Sequence, residues 1–517
     1  MQSDARFRQR GPGQMPLNIP GRRRGPGNWR RPARFDRNLV VIGAGSAGLV
    51  AANVAAAARA RVTLVERDRM GGDCLNHGCV PSKALIRCAK LAHEMRHADR
   101  FGIAAVRPAV AFDRVMAHVH DTIAAIAPHD SVARYTALGV EVLRGHARLV
   151  DPWTVEVTPD EGGVRRLTSR ATVIATGAAP VLPPLPGIEA VGCLTSDTLW
   201  EALRHRAEVP RRVVMLGGGP IGVELAQAFA RLGAEVTLIE MAPRILMRED
   251  EDAASHIAAA LARDGVRLLT GHRAIACGMD GGGKWIEIAH DGAPRRIAFD
   301  EIIAAVGRAA RLEGFGLEAL GIPTGQVVET DAFLRTLHPN ILAAGDVAGP
   351  FQLTHAAGHQ AWIAAMNGLF GDIWPIRCDL RVMPRAIFTD PELARVGLSE
   401  AEARAEGIAH EVTRLDLAAV DRAVADGAAG GFVKLLTPPG RDRILGATIV
   451  GPHAGDLLAE IVLAMRHGLG LSKILATVHI YPTLAEAARH AAGAWRRRHL
   501  NPRLMAVLER FHRWRRG

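Results

Sequence analysis

Gly43-x-Gly45-x-x-Gly48 and Gly217-x-Gly219-x-x-Gly222 are two copies of one pattern, and each is followed by a glutamate 23 residues after its first glycine, Glu66 and Glu240. A short apolar run precedes each triplet and a helical run follows it. The expected elements are strand 39–42, helix 46–59 and strand 61–65, then strand 211–216, helix 221–232 and strand 235–239. In such a unit the first glycine allows a tight turn. The second lets the backbone approach a pyrophosphate resting on the helix N-terminus, and the acid accepts hydrogen bonds from ribose hydroxyls. A lone triplet is a weak signal. Two triplets with an acid at the same offset predict an α/β fold with two Rossmann-like dinucleotide-binding domains.

A chain of 517 residues is too long for one core and implies several domains. The net charge of +11 is unevenly placed. Residues 1–37 hold ten Arg against two Asp, and residues 496–517 hold eight Arg against one Glu. The two ends therefore account for +15, and residues 38–495 carry −4, so the basicity says nothing about an active site. Residues 1–37 are rich in Arg, Gly and Pro without apolar period and are expected to be a disordered basic tail. No stretch has the length and apolarity of a transmembrane helix. Residues 39–58 are apolar enough for a signal segment, but the spaced glycines assign them to the first fingerprint.

Cys74-Leu-Asn-His-Gly-Cys79 lies just past that fingerprint and runs into Val-Pro-Ser-Lys83. Two cysteines separated by four residues, beside a flavin-type nucleotide site, point to a disulfide that exchanges electrons. A zinc site would need two more ligands at matching spacing, and no resident metal is expected. A helix is expected to open near Pro81, and its N-terminus together with Lys83 would lower the pKa of a thiol at Cys79. Cys88, Cys193, Cys277 and Cys378 are scattered and read as core residues of a protein from a reducing compartment, the cytoplasm.

With Gly71-Gly72-Asp73-Cys74 through Lys83, Ala175-Thr176-Gly177, Gly307-Arg308, Gly345-Asp346 and His355-Ala356-Ala357, residues 38–495 resemble the pyridine nucleotide–disulfide oxidoreductases, the flavoproteins that include dihydrolipoyl dehydrogenase and mercuric reductase. The resemblance implies an FAD domain (38–187 and 308–375) split around an NAD(P) domain (188–307), then an α+β dimerisation domain (376–495) of a homodimer. It implies that Cys79 contacts the flavin and Cys74 exchanges with substrate. Lys83 would lie near flavin N5 with Glu224 as its partner, and Asp346 would bind the ribityl chain. It further assigns Gly72, Asp73, Ala147, Ala175, Thr176, Gly177, Pro220, Ile221, Gly307, Arg308, Gly345, His355 and Ala356 to the FAD and NAD sites. A carboxylate at Glu240 favours NADH, while Arg244 nearby leaves NADPH open. The acceptor implied is a disulfide or dithiol, with a thiol-bound soft metal ion such as Hg(II) as the alternative.

One position departs from the family. Its disulfide-reducing members carry a histidine before Pro-Thr and a glutamate five residues after it. Here Tyr481 precedes Pro482-Thr483, while Glu486 keeps its spacing and His479 lies two residues earlier. Deprotonating a tyrosine at neutral pH costs about 4 kcal/mol, so Tyr481 is a poor base. Mercuric reductases carry a tyrosine near the site but end in a paired-cysteine tail, whereas no cysteine follows Cys378 here. Finally, Leu500, Leu504, Val507, Phe511 and Trp514 recur at helical spacing among arginines. Residues 496–517 thus read as a basic amphipathic helix, able to pack on its own dimer or to make peripheral membrane contact as part of an electron-transfer component. No specific nucleic-acid binding is expected.

Overall fold

The computed structural model describes residues 29–517. They gather into two compact units: the chain up to Gly217 with Ala228–Ile239 and His272–Leu380, and Gly218–Gln227 with Glu240–Gly271 and Arg381–Gly517.

In the first unit, β1 (Arg37–Ile42), α1 (Ser46–Ala57) and β2 (Val62–Glu66) form the first expected strand–helix–strand. Leu39, Val40, Val41 and Ile42 are all buried, as a strand covered on both faces requires. β1 pairs in parallel with β2 and with β5 (Arg165–Ile174). β3 (Glu141–Asp151) extends the sheet in parallel beside β2, and β4 (Thr154–Pro159) runs antiparallel between β3 and β5. Alanines 47, 51, 52 and 55 on α1 are buried, and their small size lets α1 pack closely on a later helix, Thr354–Phe370. The second fingerprint repeats the layout. β6 (Arg212–Leu216) is followed by α2 (Pro220–Leu232) and β7 (Glu235–Glu240), and β6 pairs in parallel with both β7 and Glu301–Ala304.

In the second unit, five strands from Arg385 to Gly451 form a sheet. Phe432–Thr437 and Gly446–Gly451 are buried along their whole length; helix Ala454–Arg466 buries Ala454, Leu458, Ile461 and Ala464 against this core, and helix Glu486–Arg498 buries Ala487, Ala488, Ala491, Ala492 and Trp495. The last helix, Pro502–Arg516, buries no residue. No helix among the described residues is long and apolar enough to cross a membrane.

Most of the basic tail expected over 1–37 lies outside the described residues. The expectation of disorder fails for its last part. Trp29 packs edge-on to His338 with ring centroids 5.7 Å apart, Asp36 accepts hydrogen bonds from the backbone and hydroxyl of Thr168, and Arg37 opens β1. Arg37 is buried because its guanidinium pairs with Glu141 and Thr63, so a charged residue here belongs to the sheet.

Candidate active site

At the first fingerprint the glycines are required by contact distances. A Cβ on Gly43, at φ 101°, would stand 2.4 Å from the carbonyl oxygen of Ala175, and one on Gly48 would stand 1.7 Å from that of Gly43. Gly45 caps α1, and Gly72 lies against it. Glu66 ends β2, where Oε2 accepts from Ala44 N–H at 2.6 Å and Oε1 from Asp68 N–H at 2.7 Å. The second fingerprint repeats this pattern. Glu240 Oε2 accepts from Gly218 N–H at 2.6 Å and Oε1 from Ala242 N–H at 2.7 Å. Each carboxylate is held by its own loop at the end of a strand, where a ribose would reach it. Gly217 closes on Ala305 much as Gly43 closes on Ala175. Gly219 has open space before it, and Pro220, Ile221 and Gly222 start α2.

Arg244 has a different role from the one the sequence left open. Its guanidinium donates to the carbonyls of Ile245, Leu246, Met247 and Glu249 at 2.8–3.2 Å. Those bonds hold the loop and engage the guanidinium that would otherwise be offered to a 2′-phosphate. Replacing Glu240 with alanine is expected to narrow the preference for NADH over NADPH, in kcat/KM, by about tenfold, the effect of removing ~1.4 kcal/mol of charge repulsion. Unchanged ratios would remove Glu240 from a role in cofactor choice.

The cysteines lie where two helices meet. Cys74 is in a short helix, Gly72–Asn76, and Cys79 is the first residue of Cys79–Arg96. That helix opens two residues before Pro81. Gly78 takes the cap, and Pro81 falls in the first turn, where an amide N–H would have no partner. The loop between the cysteines is pinned: Trp200 Nε1 donates to the carbonyl of His77 at 2.7 Å, and Asn76 Nδ2 donates to the carbonyls of Met70 and Gly72. Both cysteines stand as thiols. Cys79 is pulled down to about 6 by the hydrogen bond from Cys74, with help from Thr354, whose hydroxyl lies 3.4 Å from Cys79 Sγ, and from the charge of Lys83. Cys74 is pushed the other way, by donating that bond and by burial. The two thiols are therefore unlike: a thiolate at the helix start, where the dipole favours negative charge, and a protonated partner. Burial raises the other four cysteines, Cys193 to about 12 and Cys277 and Cys378 to about 11. That is the behaviour of inert core thiols.

Behind the pair lies a charged cluster. Arg308 sits 3.0 Å from Asp73 and 3.7 Å from Asp197, and bonds Ser196 and the carbonyl of Ala178. Arg308 Nε is buried without a hydrogen-bond partner among the described residues. Burial pushes Asp346 up to about 6 against the pull of Arg308. Gly345 N–H donates to Gln360, and Thr176 donates to the carbonyl of Arg311, which in turn donates its own N–H to Gly177. Ala175 and Ala356 are buried and His355 is exposed. Ala147 buries its methyl in the core, so any contact it makes with a cofactor uses its backbone. A glycine cradle, a desolvated carboxyl at Asp346 and an unsatisfied guanidinium N–H fit the pyrophosphate and ribityl hydroxyls of FAD. When bound, FAD supplies the two-electron relay between nicotinamide and cysteines.

The acid–base candidates lie in the other unit. Tyr481 Oη donates to Asp421 Oδ2 at 3.1 Å, and this bond and its charge, with Glu486 adding to them, raise the phenol pKa. His479 is committed elsewhere: Nδ1 lies 3.0 Å from the Thr477 carbonyl and Nε2 3.0 Å from both oxygens of Glu460. Glu486 is buried at the start of its helix, within 4.0 Å of His490. Lys83 donates to Ser82, and Glu224 accepts from Phe388 N–H at 2.9 Å. Thr354, Asp197 and Asp421 were not legible from spacing. Thr354 stands immediately before the His355-Ala356-Ala357 motif, the one signal that pointed toward it.

Two dinucleotide cradles and an asymmetric dithiol define a nicotinamide-linked flavoprotein that works through paired cysteines. The chain belongs to the pyridine nucleotide–disulphide oxidoreductase family, whose model matches residues 37–361, and residues 383–492 match that family's dimerisation domain. It is 36% identical to a dihydrolipoyl dehydrogenase of Thermus scotoductus over 469 residues, 88% of this chain and 97% of that one. It is 34% identical to a mercuric reductase of Streptomyces lividans over 459 residues, 88% and 95% of the two chains. Among solved structures, LpdA from Mycobacterium tuberculosis superposes with a TM-score of 0.80 at 28% identity, covering 88% of this chain and 99% of that one. A Cu(II) complex of the HOCl-induced flavoprotein disulfide reductase RclA from Escherichia coli gives 0.77 at 27%, covering 88% and 99%. The protein is thus an FAD- and NAD(P)H-dependent disulfide oxidoreductase, and its dimerisation domain supports a homodimer.

Proposed function

We propose that this enzyme works in the cytoplasm as an NADH-dependent reductase, delivering electrons to a disulfide acceptor in preference to oxidising dihydrolipoamide. The pairing of Tyr481 with Asp421 carries this reading. A phenol raised by a neighbouring carboxylate keeps its proton, so it is unsuited to deprotonate an incoming dithiol. In the reductive direction the departing thiolate needs a proton and no base is asked of the phenol. Cys74 gives up its thiol proton to solvent as its sulfur attacks one sulfur of the acceptor, an S–S bond forms to Cys74, and the acceptor's own S–S bond breaks. The departing thiolate takes a proton from solvent beside Tyr481. Cys79 thiolate then attacks Cys74, closing the Cys74–Cys79 disulfide and releasing the second thiol.

In this enzyme the chain divides into a split FAD domain (38–187 and 308–375), an NAD(P) domain (188–307) and a dimerisation domain (376–495). Tyr481–Glu486 of one protomer serves the cysteines of the other. Val478, Ile480 and Tyr481, exposed at 93%, 79% and 68%, support an interface there. A second reading, reduction of a soft metal ion held by the two sulfurs, is favoured by the names of the mercuric reductase and Cu(II)-bound relatives. The test compares NADH consumption with disulfide acceptors, or with thiol-bound Hg(II) or Cu(II), against NAD reduction by dihydrolipoamide. Tyr481→His is expected to raise dihydrolipoamide oxidation about a hundredfold, the usual contribution of a placed base. If the unaltered enzyme already matches that variant, the proposed direction is wrong.

A further inference from the structure

The helix Pro502–Arg516 has no role in this chemistry, yet it is unusually well specified. Asn501 caps it by accepting from Arg503 N–H at 2.9 Å, and Pro502 occupies its first turn, so the helix starts without help from the body of the protein. Leu504, Val507, Leu508, Phe511 and Trp514 line one face and are 39–76% exposed. Arg503, Arg510, Arg513, Arg515 and Arg516 stand against one acid, Glu509. A lone helix of this length is marginal in water, and such an apolar stripe needs a cover.

The charge indicates which cover. A second copy of the helix would bring five more arginines against the first. The chain's other basic stretch, residues 1–37, carries +8 and repels it in the same way. An anionic lipid surface satisfies both halves of the helix: the stripe enters the acyl boundary while the arginines reach the headgroups, with Trp514 suited to the interface between them. We propose that Pro502–Arg516 is a peripheral membrane anchor selective for anionic lipid, which brings a soluble reductase to the bilayer surface. This stands independently of which acceptor the cysteines reduce.

The test is co-sedimentation of the full-length FAD-loaded protein with phosphatidylcholine vesicles, with and without phosphatidylserine. Expected is at least about tenfold more protein on the anionic vesicles, declining as salt is raised. Phe511→Glu with Trp514→Glu is expected to abolish that binding while NADH oxidation stays unchanged, which shows the variant to be folded. Equal partition onto neutral and anionic vesicles would overturn the proposal, as would binding that survives the double substitution. Absence of vesicle binding would also overturn it. If the double substitution then dispersed an assembly larger than the dimer in light scattering, the helix face would belong to a second copy.

Discussion

Cys74→Ser is expected to lower NADH-driven reduction of a disulfide acceptor by at least about a thousandfold, since the attacking sulfur is gone. NADH should still reduce the bound cofactor. The long-wavelength absorbance of a thiolate beside flavin should persist in this variant, because Cys79 remains and a serine hydroxyl can still donate to it. The pH dependence follows from the lowered pKa of Cys79. The thiolate is present above about 6, so the band of the reduced enzyme should fade as pH falls through that value. Cys74→Ala removes the donor that does most to lower Cys79, and the midpoint should move to higher pH. Disulfide reduction that survives Cys74→Ser would mean that the acceptor takes electrons by another route.

Arg395→Met is expected to cost about 3–5 kcal/mol of stability, because it leaves a buried carboxylate without its principal partner. Arg395 is fully buried. Its Nε lies 2.7 Å from Glu249, its Nη1 2.5 Å from Glu402, and its Nη2 donates to the carbonyl of Arg248. Burial raises Glu249 even with Arg395 beside it, so removing the cation leaves desolvation less opposed. The check is the denaturant midpoint of the FAD-loaded protein. Adding Glu249→Gln should recover much of the loss, because the uncompensated charge disappears. A single variant as stable as the parent would show that Arg385, 3.4 Å from Glu249, already suffices.

Both strand–helix–strand units were legible to within one or two residues, because apolar runs and glycine turns are local properties of the chain. The start of the helix at Cys79 was not. Pro81 marks a first turn equally well from its third position, and the cap conformation of Gly78 decides between them. The tail over 29–37 was misjudged because the partners of Trp29, Asp36 and Arg37 lie more than a hundred residues away or on neighbouring strands.

The candidate site divides in the same way. Spacing alone determined the two glycine cradles with their glutamates, and the cysteine pair beside the first. The substitution of Tyr481 at the base position was also plain once the family resemblance was drawn. The helix start and Lys83 already pointed to Cys79 as the thiolate, but the hydrogen bonds from Cys74 and Thr354 that lower it, what occupies Arg244 and what holds the Tyr481 hydroxyl were decided only by the tertiary structure. Thr354 reaches Cys79 across 275 residues, and Asp421 reaches Tyr481 across 60. A pKa depends on the few ångströms around a group, and those neighbours come from chain segments that sequence proximity does not connect.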